Sequence, residues 1–299
     1  MAQASARRPL MQLAEAQQKI ERALLSFGLE ASEAEAETRW ILDHLGFSTL
    51  TQRVSPGQLL APLQWEQAQA LLARRQVHEP LQYILGNQPF CGLLLKVTPA
   101  VLIPRPETEE LVHLALNTLP VIAEALRIAD FGTGSGAIAL ALAQELQKRR
   151  QASQIWASDL SAAALALAAE NAHLNHLNEA VIFLEGDGLA PFLALDLELD
   201  LLISNPPYVP LAQWQTLAPE VQLYEPQMAL TPGEDPLRFY RLLAEQGPHL
   251  LRSGGQLWLE LEASLASETQ SLFLNEDWVQ VRLLPDFAGQ TRFLNALRV

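Results

Sequence analysis

The sequence places four residues suited to binding a planar amino or amide group in one run, Asn205, Pro206, Pro207 and Tyr208. They follow an apolar, strand-like segment, and proline lacks the N–H that a central strand needs to continue its hydrogen bonds. The two prolines hold the backbone so that the carbonyl of Pro206 points in one direction, and the side chain of Asn205 offers a second acceptor oxygen. The ring of Tyr208 adds a flat face.

Two acceptors beside a flat face favour the binding of an NH2 group. The nitrogen of an amide or an exocyclic amine is a poor nucleophile because its lone pair is delocalised. If Asn205 and Pro206 accept hydrogen bonds from its two N–H groups, the lone pair of the nitrogen faces an electrophile on the other side. Such a site catalyses the reaction by positioning and electrostatics. No strong base is required beforehand, since the nitrogen becomes acidic on alkylation. The alternative is an ordinary turn, which an Asn-Pro pair also indicates.

A glycine-rich segment upstream is a candidate nucleotide-binding loop. Gly132, Gly134 and Gly136 separate a strand-like run from a helix-like run. Glycine there permits a tight turn and lets a ligand approach the amides at the helix N-terminus. With Ala137, the pattern also satisfies the G-x-G-x-x-G/A signature of dinucleotide-binding folds, so an NAD enzyme stays an alternative, as does a turn without a ligand.

Two acidic residues follow the next strand-like segments. Asp159 closes the second one, where a carboxylate is placed to accept both hydroxyl protons of a ribose, although a helix cap by Asp159 or Ser161 is the alternative. Asp187 ends the third segment beside Gly188, where it would border an adenine or form a turn. The glycine loop and Asp159 together favour a nucleoside ligand, without distinguishing adenosylmethionine from NAD.

The elements that must position these residues alternate between strand and helix patterns from residue 126 onward. This alternation predicts an α/β fold with a mostly parallel sheet and one antiparallel edge hairpin. If "LRIADF" and "LDLLIS" are neighbouring central strands, the glycine loop and Asn205 meet at a topological switch point. Upstream, we predict a helical N-terminal domain over residues 1–80, a linker with a β-hairpin over 81–104, and the catalytic domain over 105–299.

Composition limits the classes of function. The chain has 299 residues, a formal net charge of −14 and one cysteine, Cys91. The negative charge argues against a non-specific grip on duplex nucleic acid, and a single cysteine excludes an intramolecular disulfide and a cysteine-rich metal site. Polar residues interrupt the first segment, and no apolar run is long enough to span a bilayer. We therefore expect a cytoplasmic protein.

Several motifs together resemble one enzyme family. "DFGTGSG", Asp159 and "NPPY" are similar to Rossmann-like methyltransferases that use S-adenosylmethionine and modify an amino or amide nitrogen. "NPPY" alone is also compatible with adenine-N6 methyltransferases of nucleic acid. "EPLQYILG", "LIPRPETEELV" and "YEPQMAL" resemble the PrmC (HemK) release-factor glutamine methyltransferases, from about residue 10 to the C-terminus.

This resemblance implies a seven-stranded class I methyltransferase sheet and N5-methylation of the glutamine in the Gly-Gly-Gln loop of class 1 peptide-chain release factors. It also implies that the helical domain recognises the substrate, and we expect a monomer without a bound metal, stable nucleic-acid binding or membrane binding. By position it assigns the glutamine amide to Asn205, Pro206, Pro207 and Tyr208. The residues expected to hold S-adenosylmethionine are Asp130, Gly132, Thr133, Gly134, Ser135, Gly136, Asp159, Asp187, Gly188 and Asn205.

Two other methyltransferase classes remain as alternatives. Ribosomal-protein glutamine methyltransferases share "NPPY", but "PRPETE", Pro104 to Glu109, favours the release-factor branch. A nucleic-acid adenine methyltransferase predicts a basic groove, which the net charge opposes. His78, Cys91 and the segment 231–237 depart from the family pattern, and these departures leave the proposed methyl-transfer residues unchanged.

Overall fold

The computed structural model describes residues 10–120 and 124–299, and the chain divides into two compact units. The first unit runs to Gly86 and includes Pro219–Tyr224, and the second comprises Asn87–Ala218 and Glu225–Val299. The first nine residues of the predicted helical domain lie outside the described residues. Within the described ranges, no helix is long and apolar enough to cross a membrane. The predicted domain limits at residues 80 and 104 stay predictions.

The first unit is mainly helical, with a short antiparallel pair of β1 (Met11–Gln12) and β2 (Leu59–Leu60). Its helices are α1 (Leu13–Ser26), α2 (Ala31–His44), α3 (Thr49–Val54), α4 (Pro62–Arg75) and α5 (Leu81–Leu85). Ile20 and Leu24 are fully buried one turn apart on α1, and Ile41 of α2 belongs to the same apolar cluster. This i, i+4 spacing is what places one face of each helix in a common core.

Arg75 is a buried cation at the end of α4, with only 3% of its side chain exposed. Its Nε lies 3.0 Å from Oε2 of Glu37, and its Nη1 lies 2.9 Å from Oε2 of Glu220. Glu220 belongs to the helix Pro219–Tyr224, where the hydroxyl of Tyr224 also donates to the carbonyl of Val77 at 2.9 Å. The ion pairs therefore join that distant segment of the chain to the rest of the first unit.

We expect Arg75→Met to lower the free energy of unfolding by about 3 kcal/mol, because it leaves the buried carboxylate of Glu37 without its ion partner. Urea unfolding of the full chain measures this loss. The matched control is Arg74→Met, since Arg74 pairs with Glu79 but leaves 47% of its side chain exposed. The exposed pair should contribute about 1 kcal/mol or less. Equal losses in the free energy of unfolding for the two variants would contradict the stabilising role of the buried Arg75 ion pair.

The second unit contains a β-hairpin and a large sheet. The hairpin pairs β3 (Asn87–Phe90) with β4 (Leu93–Lys96). The strands of the sheet are β5 (Leu126–Phe131), β6 (Ser153–Asp159), β7 (Val181–Glu185), β8 (Leu199–Ser204), β9 (Leu251–Glu260), β10 (Trp278–Pro285) and β11 (Thr291–Arg298). Across the described residues the order of these seven strands is β10-β11-β9-β8-β5-β6-β7.

Helices connect these strands. They are α6 (Pro106–Thr118), α7 (Ala137–Lys148), α8 (Ala162–Leu174), α9 (Ala190–Leu193), α11 (Arg238–Gln246) and α12 (Ala266–Leu272). The helix Pro219–Tyr224, described above with the first unit, is α10. The pairs β5–β6, β6–β7, β5–β8 and β8–β9 are parallel, and β11 runs antiparallel to both of its neighbours. The predicted α/β fold is confirmed, with its mostly parallel seven-stranded sheet, helical N-terminal part and hairpin.

The centre of the sheet is the junction between β5 and β8. Every residue of β8 is buried, as expected for a parallel strand covered on both faces. The chain leaves β5 toward β6 on one side and returns to β8 on the other, so the topological switch point lies between these two strands. The hydroxyl of Ser204 donates to the carbonyl of Phe131 at 2.7 Å and joins the carboxyl ends of both strands.

Candidate active site

A cavity opens at the carboxyl ends of the central strands, where the predicted glycine loop and the Asn-Pro-Pro-Tyr run meet. The predicted site residues that line it are Gly132, Gly134, Asp159, Asp187, Gly188, Asn205 and Pro207. The other predicted residues are not part of this lining, and they are Asp130, Thr133, Ser135, Gly136, Pro206 and Tyr208. The sequence therefore located both halves of one cavity, although 73 positions separate Gly132 from Asn205.

The glycines after β5 serve two different purposes. Gly132 and Gly134 have φ values of +73° and +56°, and a methyl group built on either would meet no atom within 4 Å. Backbone conformation therefore requires glycine there, and the open side faces the cavity that both residues line. Gly136, at φ +83°, is close-packed instead, because a methyl group there would lie 3.2 Å from Cβ of Ala168 on α8. Gly136 thus allows the approach of two helices.

Asp130 is a fully buried carboxyl behind the glycine loop. Its Oδ2 accepts hydrogen bonds from the hydroxyl of Thr133 at 2.6 Å and from the N–H of Ala139 at 3.2 Å. Its Oδ1 is buried with no hydrogen-bond partner among the described residues. Burial raises the pKa of Asp130 to about 7 in spite of the two donors. The site therefore holds a carboxylate oxygen that suits an additional N–H donor or cation.

We expect this buried carboxyl to make stability depend on pH. A carboxyl whose pKa rises on folding stabilises the native state fully below its unfolded pKa, here 3.8, and loses that contribution as pH rises through about 7. Between about pH 4 and about pH 8, the free energy of unfolding should fall by up to about 4 kcal/mol from this group. Urea unfolding at both pH values should show a smaller fall in Asp130→Asn than in the wild type, and the difference between the two is the contribution of Asp130.

The control for the pH experiment is Asp196→Asn, which removes an exposed carboxyl and should follow the wild-type profile. Parallel pH profiles for Asp130→Asn and the wild type would show that Asp130 does not contribute the pH dependence.

Asp159 is held by two backbone donors at the tip of β6. Its Oδ2 accepts from the N–H of Gly134 at 2.8 Å, and its Oδ1 accepts from the N–H of Ser161 at 2.9 Å. Each carboxylate oxygen has a further lone pair for a ligand. The cap of α8 is Ser161, whose hydroxyl oxygen accepts from the N–H of Ala164 at 3.2 Å. Asp159 therefore braces the glycine loop and keeps acceptor capacity beside the cavity.

Asp187 and Gly188 form the turn after β7 and also border the cavity. The N–H of Ala190 donates to the carbonyl of Asp187 at 3.4 Å. Gly188 has a φ of +59°, and a methyl group there would lie 3.1 Å from Cδ2 of Leu242. The two interpretations of this segment, a turn and a cavity border, are therefore both compatible with its position.

The Asn-Pro-Pro-Tyr run leaves β8 at the opposite side of the cavity. The Nδ2 of half-buried Asn205 donates to Oγ1 of Thr108 at 3.1 Å. Pro206 is buried, and Tyr208 packs against the apolar cluster that includes Tyr240 of α11. Burial raises the pKa of the Tyr208 phenol, so it stays neutral at physiological pH.

The comparisons with known proteins bear on the whole chain. Family models of the PrmC N-terminal domain and the methyltransferase small domain match residues 15–86 and 111–235. The release factor glutamine methyltransferase of Moorella thermoacetica is 40% identical over 301 residues, which cover 96% of this chain and 99% of the relative. The chain belongs to the release factor glutamine methyltransferase family. The family predicted from the sequence is confirmed, together with the enzyme class and its dependence on S-adenosylmethionine.

Two further matches agree with this placement. The release factor glutamine methyltransferase of Geobacter sulfurreducens is 42% identical over 241 residues, or 80% of this chain and 81% of the relative. The crystal structure of the hMettl16 catalytic domain in complex with a 3'UTR hairpin matches with a TM-score of 0.53 at 16% identity. It covers 81% of this chain and 84% of that one and supports the fold alone.

Two buried carboxyl groups of this methyltransferase were assigned no role from the sequence, and one of them, Glu225, lies within "YEPQMAL". Glu260 ends β9 with 2% exposure, and its Oε2 accepts from the hydroxyl of Thr108 at 2.7 Å. Burial raises the pKa of Glu260 to about 7. Glu225 accepts from the N–H of Ile103 at 3.3 Å and pairs with the guanidinium of Arg105. Their partners, Arg105 and Thr108, both lie within the "PRPETE" motif, and this motif is the feature of the sequence that is connected with both carboxyl groups.

Asn171 of α8 is a further residue that the sequence did not single out. Its Nδ2 donates to the carbonyls of Ser135 and Lys96 at 2.9 and 3.0 Å, and its Oδ1 accepts from the N–H of Lys96 at 2.6 Å. Asn171 therefore joins the hairpin strand β4 to the glycine loop.

Proposed function

We propose that the protein methylates the side-chain amide nitrogen, N5, of the glutamine in the Gly-Gly-Gln loop of class 1 peptide-chain release factors. Family membership over nearly the full length supports the reaction and its protein substrate. The observation that carries the assignment of residues is that Asn205 and Pro207 line the same cavity as Gly132, Gly134 and Asp159. One cavity thus serves both the methyl donor and the acceptor amide.

The residues around the glycine loop fit S-adenosylmethionine. Asp159 would accept the ribose hydroxyls, and Asp187 with Gly188 would border the adenine. Asp130 has a buried oxygen with no partner among the described residues, which suits a ligand that carries an ammonium group. Thr133, through its bond to Asp130, and Ser135, whose carbonyl is held by Asn171, would support the loop. S-adenosylmethionine, when bound, supplies an electrophilic methyl group.

The acceptor side of the cavity holds the substrate amide in place. The side-chain oxygen of Asn205 and the carbonyl of Pro206 accept hydrogen bonds from the two N–H groups of the glutamine amide. The lone pair of the amide nitrogen is thereby directed toward the methyl group. Pro206 and Pro207 fix the direction of that carbonyl, and the neutral ring of Tyr208 forms an apolar wall. The two acceptors stabilise the positive charge that develops on the NH2 group, and its proton is lost after alkylation.

The helical N-terminal part is proposed as the region that recognises the release factor. Its match to the PrmC N-terminal domain supports this role. It exposes large apolar side chains, with 69% of Leu50, 65% of Val54 and 64% of Leu63 accessible, and such residues favour a protein partner. The net charge of −14 favours a protein over duplex nucleic acid. The protein is proposed to act as a monomer in the cytoplasm.

A methyl-transfer assay with competing acceptors tests the substrate class. The purified protein is incubated with S-adenosylmethionine carrying a tritiated methyl group and, in separate reactions, with a class 1 release factor, total ribosomal protein and duplex DNA. We expect label in the release factor and no label in a release factor whose Gly-Gly-Gln glutamine is replaced by alanine. Label in ribosomal protein or DNA, with none in the release factor, would reject the proposal in favour of one of the other methyltransferase classes.

A further inference from the structure

Thr108 lies between two groups that come from different strands of the sheet. It stands in the first turn of α6 with 5% of its surface exposed. Its Oγ1 lies 3.1 Å from Nδ2 of Asn205, which follows β8, and 2.7 Å from Oε2 of Glu260, which ends β9. Because Ser204 pairs with Leu259 in the parallel register, Asn205 and Glu260 are the next facing positions of these neighbouring strands.

The chemistry of the three groups sets the direction of both hydrogen bonds. The hydroxyl of Thr108 donates its single proton to Oε2 of Glu260, and above its pKa of about 7 the ionised carboxylate can only accept. The oxygen of Thr108 can then only accept on its other side. A carboxamide presents either NH2 or oxygen to a neighbour, and only the NH2 group can donate to Thr108. The Oδ1 of Asn205 is thereby turned away from Thr108.

We propose that Thr108 and Glu260 are positioning residues that orient the carboxamide of Asn205, so that its oxygen and not its nitrogen meets the substrate NH2 group. This inference rests on the proposed function, because the orientation matters only if Asn205 accepts a bond from the substrate amide. In the opposite orientation two NH2 groups would face each other, and the substrate would lose one of its two acceptors. Asn205 and the substrate both carry carboxamides, so shape alone does not select the productive orientation.

Two substitutions at Thr108 separate this role from packing. Thr108→Val keeps the shape of the side chain and removes the hydroxyl, while Thr108→Ser keeps the hydroxyl and removes a methyl group. We expect Thr108→Val to lower kcat by about 100-fold, with the KM for release factor and the Kd for S-adenosylmethionine close to wild type. Thr108→Ser should retain most of the wild-type kcat. Equal kcat values for the valine variant and the wild type would overturn the proposal, as would a change confined to KM.

Glu260→Gln tests the far end of the same chain of bonds. The glutamine amide can donate as well as accept, so the hydroxyl of Thr108 is no longer committed to it. Both orientations of Asn205 become available, and kcat should fall while the Kd for S-adenosylmethionine is retained. A Glu260→Gln variant with wild-type kcat would show that the carboxylate does not set the direction.

A nuclear magnetic resonance experiment reads the orientation without any turnover. The full chain is labelled with nitrogen-15 asparagine, and the side-chain signals of Asn205 are assigned by their loss in Asn205→Ala. One Nδ2 proton should exchange slowly with solvent in the wild type and in Thr108→Ser, and rapidly in Thr108→Val. Equal exchange in all three proteins would overturn the proposal. If the wild type shows slow exchange but no transfer to release factor, the failure lies with the proposed function, and the catalytic part of this inference falls with it.

Discussion

Replacing Asn205 by alanine will lower the kcat of methyl transfer by about 1,000-fold, because it removes one of the two acceptors proposed to hold the substrate amide. Asn205 lines the cavity, and its NH2 group is already engaged by Thr108, so its oxygen is the atom left to meet the substrate. The glycine loop and Asp159 are untouched by the change. S-adenosylmethionine should therefore still bind, with affinity only partly reduced. Single-turnover kinetics and calorimetric binding measure these two quantities separately.

The matched control is Asn175→Ala. Asn175 is also half-buried and hydrogen-bonded, with its Nδ2 donating to the carbonyl of Leu94 at 3.1 Å, but it lies outside the cavity lining. We expect wild-type kcat for this variant. An Asn205→Ala enzyme that keeps more than about a tenth of the wild-type kcat, a difference of less than 1.4 kcal/mol, would refute the role of Asn205.

Replacing Asp159 by alanine will weaken S-adenosylmethionine binding by about 1,000-fold. The two charge-assisted hydrogen bonds proposed between Asp159 and the ribose hydroxyls would contribute about 4 kcal/mol together, and that free energy corresponds to this change in Kd. The variant also removes the acceptor of the Gly134 N–H, which holds the glycine loop against β6. Isothermal titration calorimetry with the full chain gives the Kd directly.

Ser161→Ala is the control for the Asp159 experiment. It removes the cap of α8, which costs about 1 kcal/mol of stability, but leaves both carboxylate oxygens of Asp159 in place. We expect its Kd for S-adenosylmethionine to stay near the wild-type value. Similar losses of affinity in the two variants would mean that local structure, and not the carboxylate, determines binding.

Local signals in the sequence were sufficient for the fold and for the two sides of the cavity. Pro106 begins α6, as its position before two acidic residues predicts. β5 and β8 are adjacent, as the assignment of a doubly wound sheet requires.

The supporting contacts of the site could not be predicted, because they join residues that are far apart in the sequence. Thr108 and Glu260 are separated by 152 positions, and nothing near either residue indicates the other. The sequence around Glu260 predicts a polar residue at the end of an apolar strand. The burial of Glu260 follows only from the position of β9 in the sheet. Gly136 shows the same limit, since its positive φ fits a ligand loop as well as the close packing on Ala168 that the structure contains.

Peptide mass spectrometry shows whether this cavity delivers a methyl group to a glutamine side-chain amide. A class 1 release factor is incubated with the enzyme and S-adenosylmethionine, digested, and the Gly-Gly-Gln peptide is fragmented to locate the added mass. We expect one methyl group on the glutamine side chain with the wild-type enzyme and none with Asn205→Ala. An unmodified glutamine, or a methyl group on another residue of the release factor, would contradict it.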